Sequence, residues 1–420
     1  MNVFEKCESN VRSYCRTFPA IFHRAKGSIV YAESGEEYID FFAGAGALNY
    51  GHNHDYIKQK VMSYLDADGI AHGLDMYTSA KEKFLAKFNE VVLSTKQLDY
   101  RIQFCGPTGT NAVEAALKLA RKVKKRPGIF SFMGAYHGMT LGSLSITGNT
   151  NIRAGAIGTL NHVTFMPYPY GFMESFDTIK YIESVLNDIN SGIEKPAAII
   201  FETVQAEGGV VVAPIEWMQR LRKLCDENDI LLICDDIQVG CGRTGSFFSF
   251  ERAGIVPDIV ILSKSISGYG FPMSVILIKP ELDIWEPGEH NGTFRGNQLA
   301  FVGAAAALEY RESSNLEQDV KLKELFLKNF LTQQISLISE NIAIRGIGMI
   351  WGIDLANFGG NSLAKNITMR CFEKGLIVER AGRNDTVIKL LPPLTIEMST
   401  LKKGCSIMKA AFDECLSSRF

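Results

Sequence analysis

The sequence lacks several features that mark particular classes of protein. It has no apolar run near the ~18 residues of a membrane-spanning helix, and no apolar signal core near its N-terminus. Acidic and basic side chains nearly balance, 46 against 44, so no global charge attracts nucleic acid or an anionic membrane. No low-complexity tract or repeat divides the chain. We therefore expect a protein that neither enters a membrane nor binds nucleic acid.

The cysteines also exclude a class of protein. There are nine, an odd number, and they are scattered without a CxxC pair. Such spacing argues against a disulfide framework and against a zinc site. We expect no metal and a location in the reducing cytoplasm.

What is present is the composition of a globular protein. The chain has 420 residues, of which 46% are hydrophobic and 21% charged. From about residue 100, short apolar runs alternate with segments of helical period, and the runs at 197–201, 230–234 and 258–262 are apolar throughout. Strands that are apolar on both faces predict a mostly parallel central sheet covered by helices, the α/β class.

The pattern also predicts an organisation into three regions. Residues 1–70 read as an N-terminal segment that contributes to a small lobe and to the substrate entrance. Residues 71–308 form the large α/β domain, and residues 309–420 form a smaller α+β lobe.

Three of the predicted strands end in polar residues that a buried strand does not need. Glu202, Asp235 and Lys264 follow the three apolar runs. Because ligands of open α/β sheets bind at the carboxyl ends of the strands, we expect these side chains to converge on one crevice. Taken singly, each is also compatible with an ordinary polar loop.

Lys264 and Asp235 form a chemically suggestive pair. Small residues and glycines surround Lys264, and a lysine in such a pocket can lose its proton and form a Schiff base with a carbonyl. An acid at Asp235 can keep a pyridine nitrogen protonated, as pyridoxal phosphate chemistry requires. The alternatives are a surface lysine and solvated or metal-binding acids, although no histidine is near Asp235 in the sequence to complete a metal site.

A phosphate-binding turn is predicted at 105–121, where glycines and threonine precede an amphipathic helix. A P-loop is the competing interpretation and would imply a nucleotide-binding protein or hydrolase. However, Asn111 stands where a P-loop needs lysine. The basic residues at 121–126 fall at the end of the helix, where cations complement its dipole.

Six motifs resemble, in order, those of class III pyridoxal-phosphate aminotransferases of fold type I. They are YHG (136–138), ETVQAEGG (202–209), CDDIQVGCGRTG (234–245), PDIVILSK (257–264), GTFRGNQLA (292–300) and KLLPPLTI (389–396). Within the class, the segments RTFPAIFHRAKGS (16–28) and FFAGAGALNYGHNH (41–54) resemble diaminobutyrate–2-oxoglutarate transaminases most.

The resemblance implies a role for each matching residue. Lys264 would hold pyridoxal 5'-phosphate covalently and move the proton, and Glu207 would be the gate that admits a diamine and a dicarboxylate in turn. The other cofactor contacts would be Asp235 at the pyridinium, Gln238 at the phenolic oxygen, Gly109 and Thr110 at the phosphate, Tyr136 on the ring, and His137 and Glu202. Thr293 would reach the phosphate from a neighbouring subunit, which implies at least a homodimer.

The same resemblance implies an activity. Glutamate would give its amino group to L-aspartate 4-semialdehyde, and the alternative is another ω-amino-acid aminotransferase that acts on ornithine or 4-aminobutyrate. Lys389 replaces the arginine that pairs with the gate in several relatives, and a lysine offers a point charge instead of a fork. Lys389 and Arg380 are the candidates for the substrate carboxylate. Which pathway consumes the product stays open.

Overall fold

A computed structural model describes residues 3–170 and 175–417. The strands of this part are β1 (Phe22–Lys26), β2 (Ile29–Ala32), β3 (Glu37–Asp40), β4 (Arg101–Phe104), β5 (Ile129–Phe132), β6 (Val163–Met166), β7 (Ala198–Phe201), β8 (Val204–Gln205), β9 (Val211–Val212), β10 (Leu231–Asp235), β11 (Ile259–Leu262), β12 (Val275–Ile278), β13 (Ala343–Ile347), β14 (Ile350–Asp354), β15 (Leu376–Ile377), β16 (Glu379–Ala381) and β17 (Val387–Leu390).

The α-helices are α1 (Val3–Cys7), α2 (Tyr14–Thr17), α3 (Ala43–Gly46), α4 (Asp55–Asp66), α5 (Ser79–Phe88), α6 (Gly109–Lys124), α7 (Leu141–Ser145), α8 (Thr150–Arg153), α9 (Thr178–Asn187), α10 (Ile215–Glu227), α11 (Gln298–Ser313), α12 (Leu316–Phe330), α13 (Gly360–Glu373) and α14 (Met398–Ser417). None of the described helices is long and apolar enough to cross a membrane.

The central sheet has seven strands in the order β4-β12-β11-β10-β7-β5-β6. Strands β11, β10, β7, β5 and β6 run parallel, and β12 runs antiparallel to both of its neighbours. The predicted α/β class with a mostly parallel sheet is therefore confirmed. The three apolar runs that the sequence singles out are β7, β10 and β11, side by side in the middle.

Both faces of this sheet are buried, which explains why its strands are apolar throughout. Along β7, Ile199 and Phe201 pack into one cluster together with Trp217 of α10. Ile200 points the other way and packs with Val113 of α6. Since successive side chains of a strand point to opposite faces, a strand between two helical layers has no face for polar residues. Its polar residues are displaced to its ends.

Two smaller sheets lie outside the central one. The first, β1-β2-β3-β15, joins strands from both ends of the chain, because β15 pairs in parallel with β3. The second is antiparallel, in the order β13-β14-β17-β16. Phe41 of the N-terminal region and Phe412 of α14 share one buried core. The domain boundaries at 70/71 and 308/309 stay predictions.

Helix α11 passes close to the turn that follows β11. A Cβ added to Gly303 of α11 would lie 2.6 Å from the carbonyl oxygen of Ser267. Gly268 has a φ of +71°, and a Cβ there would lie 2.4 Å from Cβ of Ala307. Only glycine allows this approach, so α11 supports the segment that carries Lys264 from behind.

Candidate active site

The carboxyl ends of β7, β10 and β11 meet at one cavity of about 480 Å³. Glu202, Asp235 and Lys264 all line it, as the sequence predicts from the three strand ends. The predicted phosphate residues Gly109 and Thr110 line the same cavity. Parallel strands with equivalent ends bring together groups that are far apart in sequence.

Lys264 lies at the end of β11 in a constrained conformation. Its φ is 48°, which is unusual for a residue with a side chain. Its amine forms no hydrogen bond or ion pair with any residue in the described ranges. Burial lowers the pKa of Lys264, although Glu207 opposes this effect. The amine is therefore biased towards its neutral, nucleophilic form.

Asp235 is held from two sides. His137 Nδ1 lies 2.6 Å from Asp235 Oδ2, and the backbone N–H of Ile237 donates to Oδ1 at 3.1 Å. His137 Nε2 is buried and has no hydrogen-bond partner among the described residues. The sequence motif YHG thus places a histidine behind the acid, where it fixes the orientation of the carboxylate.

Glu202 is a buried acid beside Asp235. Its Oε2 accepts a hydrogen bond from the backbone N–H of Tyr136 at 3.2 Å. Burial raises the pKa of Glu202 well above its ordinary value, and the charge of Asp235 adds to the effect. The carboxyl group of Glu202 is therefore biased towards its protonated form, which can donate a hydrogen bond.

The predicted phosphate turn is the start of α6. The first N–H groups of a helix have no partner within it and attract anions. The Thr110 hydroxyl is 2.7 Å from that of Thr140. Asn111, the residue that argued against a P-loop, accepts a hydrogen bond from the backbone N–H of Thr108 and so closes the start of the helix.

Glu207 faces the cavity and pairs with a buried lysine. Lys389 Nζ lies 2.6 Å from Glu207 Oε1, and the amide of Gln238 donates to the same oxygen at 3.0 Å. Burial alone would raise the pKa of Glu207, but Lys389 and Lys264 lower it to about 2. Glu207 is thus an ionised carboxylate paired with Lys389.

Three predicted residues do not line the cavity of their own chain: Arg380, Thr293 and the fully buried Lys389, which reaches it only through its contact with Glu207. Arg380 donates to Asn361 Oδ1 at 3.0 Å and lies 4.0 Å from Asp385, so its charge is directed towards α13. Thr293 lies in an exposed loop and is absent from the cavity lining. Thr293 is consistent with donation to another subunit, whereas no contact supports Arg380 as a substrate ligand.

Sequence reasoning missed two residues near the gate. Glu379 lies 2.9 Å from Lys389 Nζ and is buried. Partial burial and the charges of Glu379 and Glu207 raise the pKa of Tyr14 to about 12. The usable signal for Glu379 was the β-strand register, in which it pairs with Lys389 across β16 and β17. That register cannot be read before the pairing of these strands is known.

This combination of fold and site defines an aminotransferase class. The family model for class-III aminotransferases matches residues 11–412, and the chain belongs to this family. Class III aminotransferases depend on pyridoxal phosphate, and this chain is an enzyme of that kind.

Its relatives narrow the class. A diaminobutyrate–2-oxoglutarate transaminase of Wolinella succinogenes is 52% identical over 100% of this chain and 97% of its own length. The protein of the same name from Streptomyces avermitilis is 53% identical over 99% of this chain and 98% of its own length.

Among solved structures, an S-selective transaminase from Arthrobacter has a TM-score of 0.88 at 22% identity, and the match covers 99% of this chain and 97% of that structure's chain. An ornithine aminotransferase from Toxoplasma gondii has a TM-score of 0.87 at 24% identity, with coverage of 99% and 94%. These two structures share the fold.

The residues of the cavity fit the cofactor. It needs an amine for its aldehyde, an acid for its pyridine nitrogen and anion-binding N–H groups for its phosphate. The amine of Lys264, the carboxylate of Asp235 held by His137, and the start of α6 supply these groups around a single cavity. No set of side chains in the described residues could hold a metal ion.

Proposed function

We propose that the enzyme transfers the amino group of L-glutamate to L-aspartate 4-semialdehyde, giving L-2,4-diaminobutyrate and 2-oxoglutarate. The observation that carries this proposal is the identity of 52–53% over the whole chain to several proteins named diaminobutyrate–2-oxoglutarate transaminase. The gate of Glu207 and Lys389 at the cavity supports it, because the two substrates differ in the charge of the group they present there.

Pyridoxal phosphate, when bound, supplies an electron sink for the bond that is broken at the substrate carbon. On the side of the protein, Asp235 would hold the protonated pyridine nitrogen, with His137 fixing its position. The start of α6, at Gly109 and Thr110, would bind the phosphate. Tyr136 would cover the ring, and Gln238 and Glu202 would bind polar groups at its edge.

Lys264 is the base in this scheme. Its amine lines the cavity and forms no hydrogen bond or ion pair with another described residue, and burial lowers its pKa. It would therefore take a proton from the substrate carbon and pass it to C4′ of the cofactor. Helix α11 packs against the turn that begins at Lys264 and supports its left-handed backbone conformation. This packing would hold the amine in position after the substrate has released it from the cofactor.

Glu207 and Lys389 would sort the substrates. When Glu207 is ion-paired with Lys389, their charges cancel, and the cavity would accept the amino acid end of diaminobutyrate. With Glu207 turned aside, Lys389 is free to bind a carboxylate of glutamate or 2-oxoglutarate. One pocket can then accept both substrates in alternation, and L-aspartate 4-semialdehyde and diaminobutyrate share the closed form.

We also propose that the active enzyme is at least a homodimer and works in the cytoplasm. Thr293 would reach the phosphate in the partner's cavity, and its exposed neighbour Phe294 supports an interface there. His72 packs edge-on against the ring of Phe294 at 5.3 Å. The cytoplasmic location is supported by the scattered cysteines, none of which forms a disulfide bond with another described residue.

The test is product formation. Purified holoenzyme with L-glutamate and L-aspartate 4-semialdehyde should produce diaminobutyrate and 2-oxoglutarate in equal amounts, as measured by chromatography of the derivatised amines. Formation of neither product, by an enzyme that does aminate another ω-aldehyde with glutamate, would refute the proposed substrate.

A further inference from the structure

The gate lysine has two carboxylate partners that differ in their surroundings. Lys389 Nζ lies 2.6 Å from Oε1 of Glu207 and 2.9 Å from Oε1 of Glu379. The side chain of Glu207 is 31% exposed and borders the cavity. The side chain of Glu379 is 7% exposed, and that of Lys389 is fully buried. Only Glu207 has open space into which it can turn.

Glu379 is fixed by the sheet. It faces Lys389 in register across the antiparallel pair β16 and β17, and Lys389 faces Gly352 of β14 on its other side. The Oε1 atom of Glu379 is buried and forms no hydrogen bond with a described residue. Its ion pair with Lys389 therefore offsets most of the cost of burying its charge. A carboxylate held this way cannot follow Glu207 into the cavity.

A lysine needs this second partner more than an arginine does. Its ammonium is a point charge at the end of a flexible stem, whereas the planar fork of arginine keeps its own orientation. When the single partner of a buried lysine leaves, an uncompensated charge remains, and the lysine tends to follow its partner. A fixed second carboxylate compensates the charge of the lysine and keeps its ammonium in position.

We propose that Glu379 is a specificity-determining residue, which anchors the ammonium of Lys389 while Glu207 turns away, so that a carboxylate of a dicarboxylate substrate can take the position of Glu207. The inference rests on the proposed function, in which one cavity binds a diamine and a dicarboxylate in turn. The exchange of one carboxylate for another leaves the charge around Lys389 unchanged.

The charges of the cluster agree with this role. Burial raises the pKa of Glu379 to about 7, although Lys389 opposes the shift, so this acid can take up or release a proton near neutral pH. Burial alone would lower the pKa of Lys389, but Glu207 and Glu379 together raise it. Lys389 therefore keeps its charge through the exchange.

The test separates the two half-reactions. In Glu379→Ala holoenzyme, we expect the KM for glutamate and 2-oxoglutarate to rise about tenfold, which corresponds to about 1.4 kcal/mol. The KM for diaminobutyrate should change less than about twofold, because Glu207 stays on Lys389 in that half-reaction. In Glu379→Gln, the amide oxygen keeps one contact with the ammonium, and the rise should be smaller but still confined to the dicarboxylates. If the alanine variant does not fold, a rise in KM confined to the dicarboxylates in the glutamine variant serves as the test.

Binding gives a readout independent of turnover. Calorimetric titration of holoenzyme with glutarate, a dicarboxylate that has no amino or keto group, should show about tenfold weaker binding to Glu379→Ala than to the wild type. In a Lys389→Ala background, adding Glu379→Ala should have no further effect on the binding of glutarate, because Glu379 acts through Lys389.

Asp354→Asn provides the matched control. Asp354 is also a buried, ion-paired acid of the same small sheet, 2.9 Å from Arg345, and it is not part of the cavity lining. The Asp354→Asn substitution should lower the melting temperature without changing the ratio of the KM for glutamate to the KM for diaminobutyrate. Equal shifts of both KM values in Glu379→Ala, or unchanged values, would overturn the inference. A wild-type enzyme that does not act on diaminobutyrate would instead refute the proposed function.

Discussion

At the scale of single residues, the chemistry depends on one amine. Lys264 is the only lysine that lines the cavity within the described ranges, and in the proposed function its neutral amine would both bind the cofactor and move the proton. Replacing it removes both roles together, whereas replacing a lysine elsewhere on the sheet removes neither.

We therefore predict that Lys264→Ala abolishes the visible absorption of the purified protein and lowers turnover by roughly 10²–10⁴-fold from proton transfer alone. Absorption spectra and the glutamate half-reaction measure the two effects. Lys279→Ala is the control, because Lys279 pairs with Asp258, which precedes β11, whereas Lys264 follows the other end of that strand. Retained transamination in Lys264→Ala would contradict the assignment.

A second prediction at this scale concerns Asp236. The residue is fully buried next to Asp235, and burial raises its pKa from 3.8 to about 7 although Ser249 donates to it. Between about pH 4 and pH 7 the folded state holds a proton that the unfolded state has released. The stability that this proton contributes is therefore lost as the pH rises through this window, by roughly 4 kcal/mol in total.

The Asp236→Asn variant should lose this part of the pH dependence, because the amide resembles the protonated acid. Melting temperatures measured from pH 4.5 to 8 should fall less steeply in the variant than in the wild type. The exposed Asp99→Asn should keep the slope of the wild type. Parallel curves for Asp236→Asn and the wild type would mean that Asp236 is ionised throughout.

At the scale of secondary-structure elements, the position of Lys264 depends on how closely α11 approaches. We predict that Gly303→Ala forces the methyl group against the carbonyl of Ser267 and costs about 1–3 kcal/mol of stability. Because Ser267 lies in the turn that begins at Lys264, the cofactor should also dissociate more readily. Thermal unfolding and absorbance during dialysis measure the two effects.

Gly155→Ala is the matched control, since nothing lies within 4 Å of a Cβ at that position. It should leave both the melting temperature and cofactor retention unchanged. If Gly303→Ala behaves in the same way, the approach of α11 does not position the site.

The elements also show which parts of the fold could be predicted from the sequence. The apolar runs at 197–201, 230–234 and 258–262 predict β7, β10 and β11, because a strand buried on both faces leaves an unbroken apolar signal. Their polar ends then predict the cavity. The pairing of β3 with β15 joins segments from opposite ends of the chain and leaves no local signal. Glu379 was missed for the same reason, because its meaning depends on the register with Lys389.

At the scale of the whole molecule, the cavity is expected to be completed by a second copy. Phe294 is 66% exposed beside Thr293, and Tyr77 is fully exposed in the segment that precedes α5. Exposed aromatic side chains of this kind commonly mark a subunit interface. Such an interface would also bring Thr293 to the partner's phosphate site.

We predict that Phe294→Asp separates the subunits and weakens cofactor binding, as measured by light scattering after gel filtration and by absorbance. Ile189→Asp is the control, because Ile189 is also exposed, lies in the segment between α9 and β7 and is not part of the cavity lining. A wild-type protein that is monomeric and binds the cofactor, or a monomeric Phe294→Asp variant that binds the cofactor as tightly as the wild type, would exclude a shared site.

The proposed function requires the cavity to select L-2,4-diaminobutyrate among ω-amino acids. The most direct measurement is kcat/KM with 2-oxoglutarate as acceptor for L-2,4-diaminobutyrate, L-ornithine and 4-aminobutyrate under the same conditions. We predict that diaminobutyrate is preferred by about tenfold or more, the discrimination expected for one methylene or one lost polar contact. An equal or higher value for ornithine or 4-aminobutyrate would contradict the account.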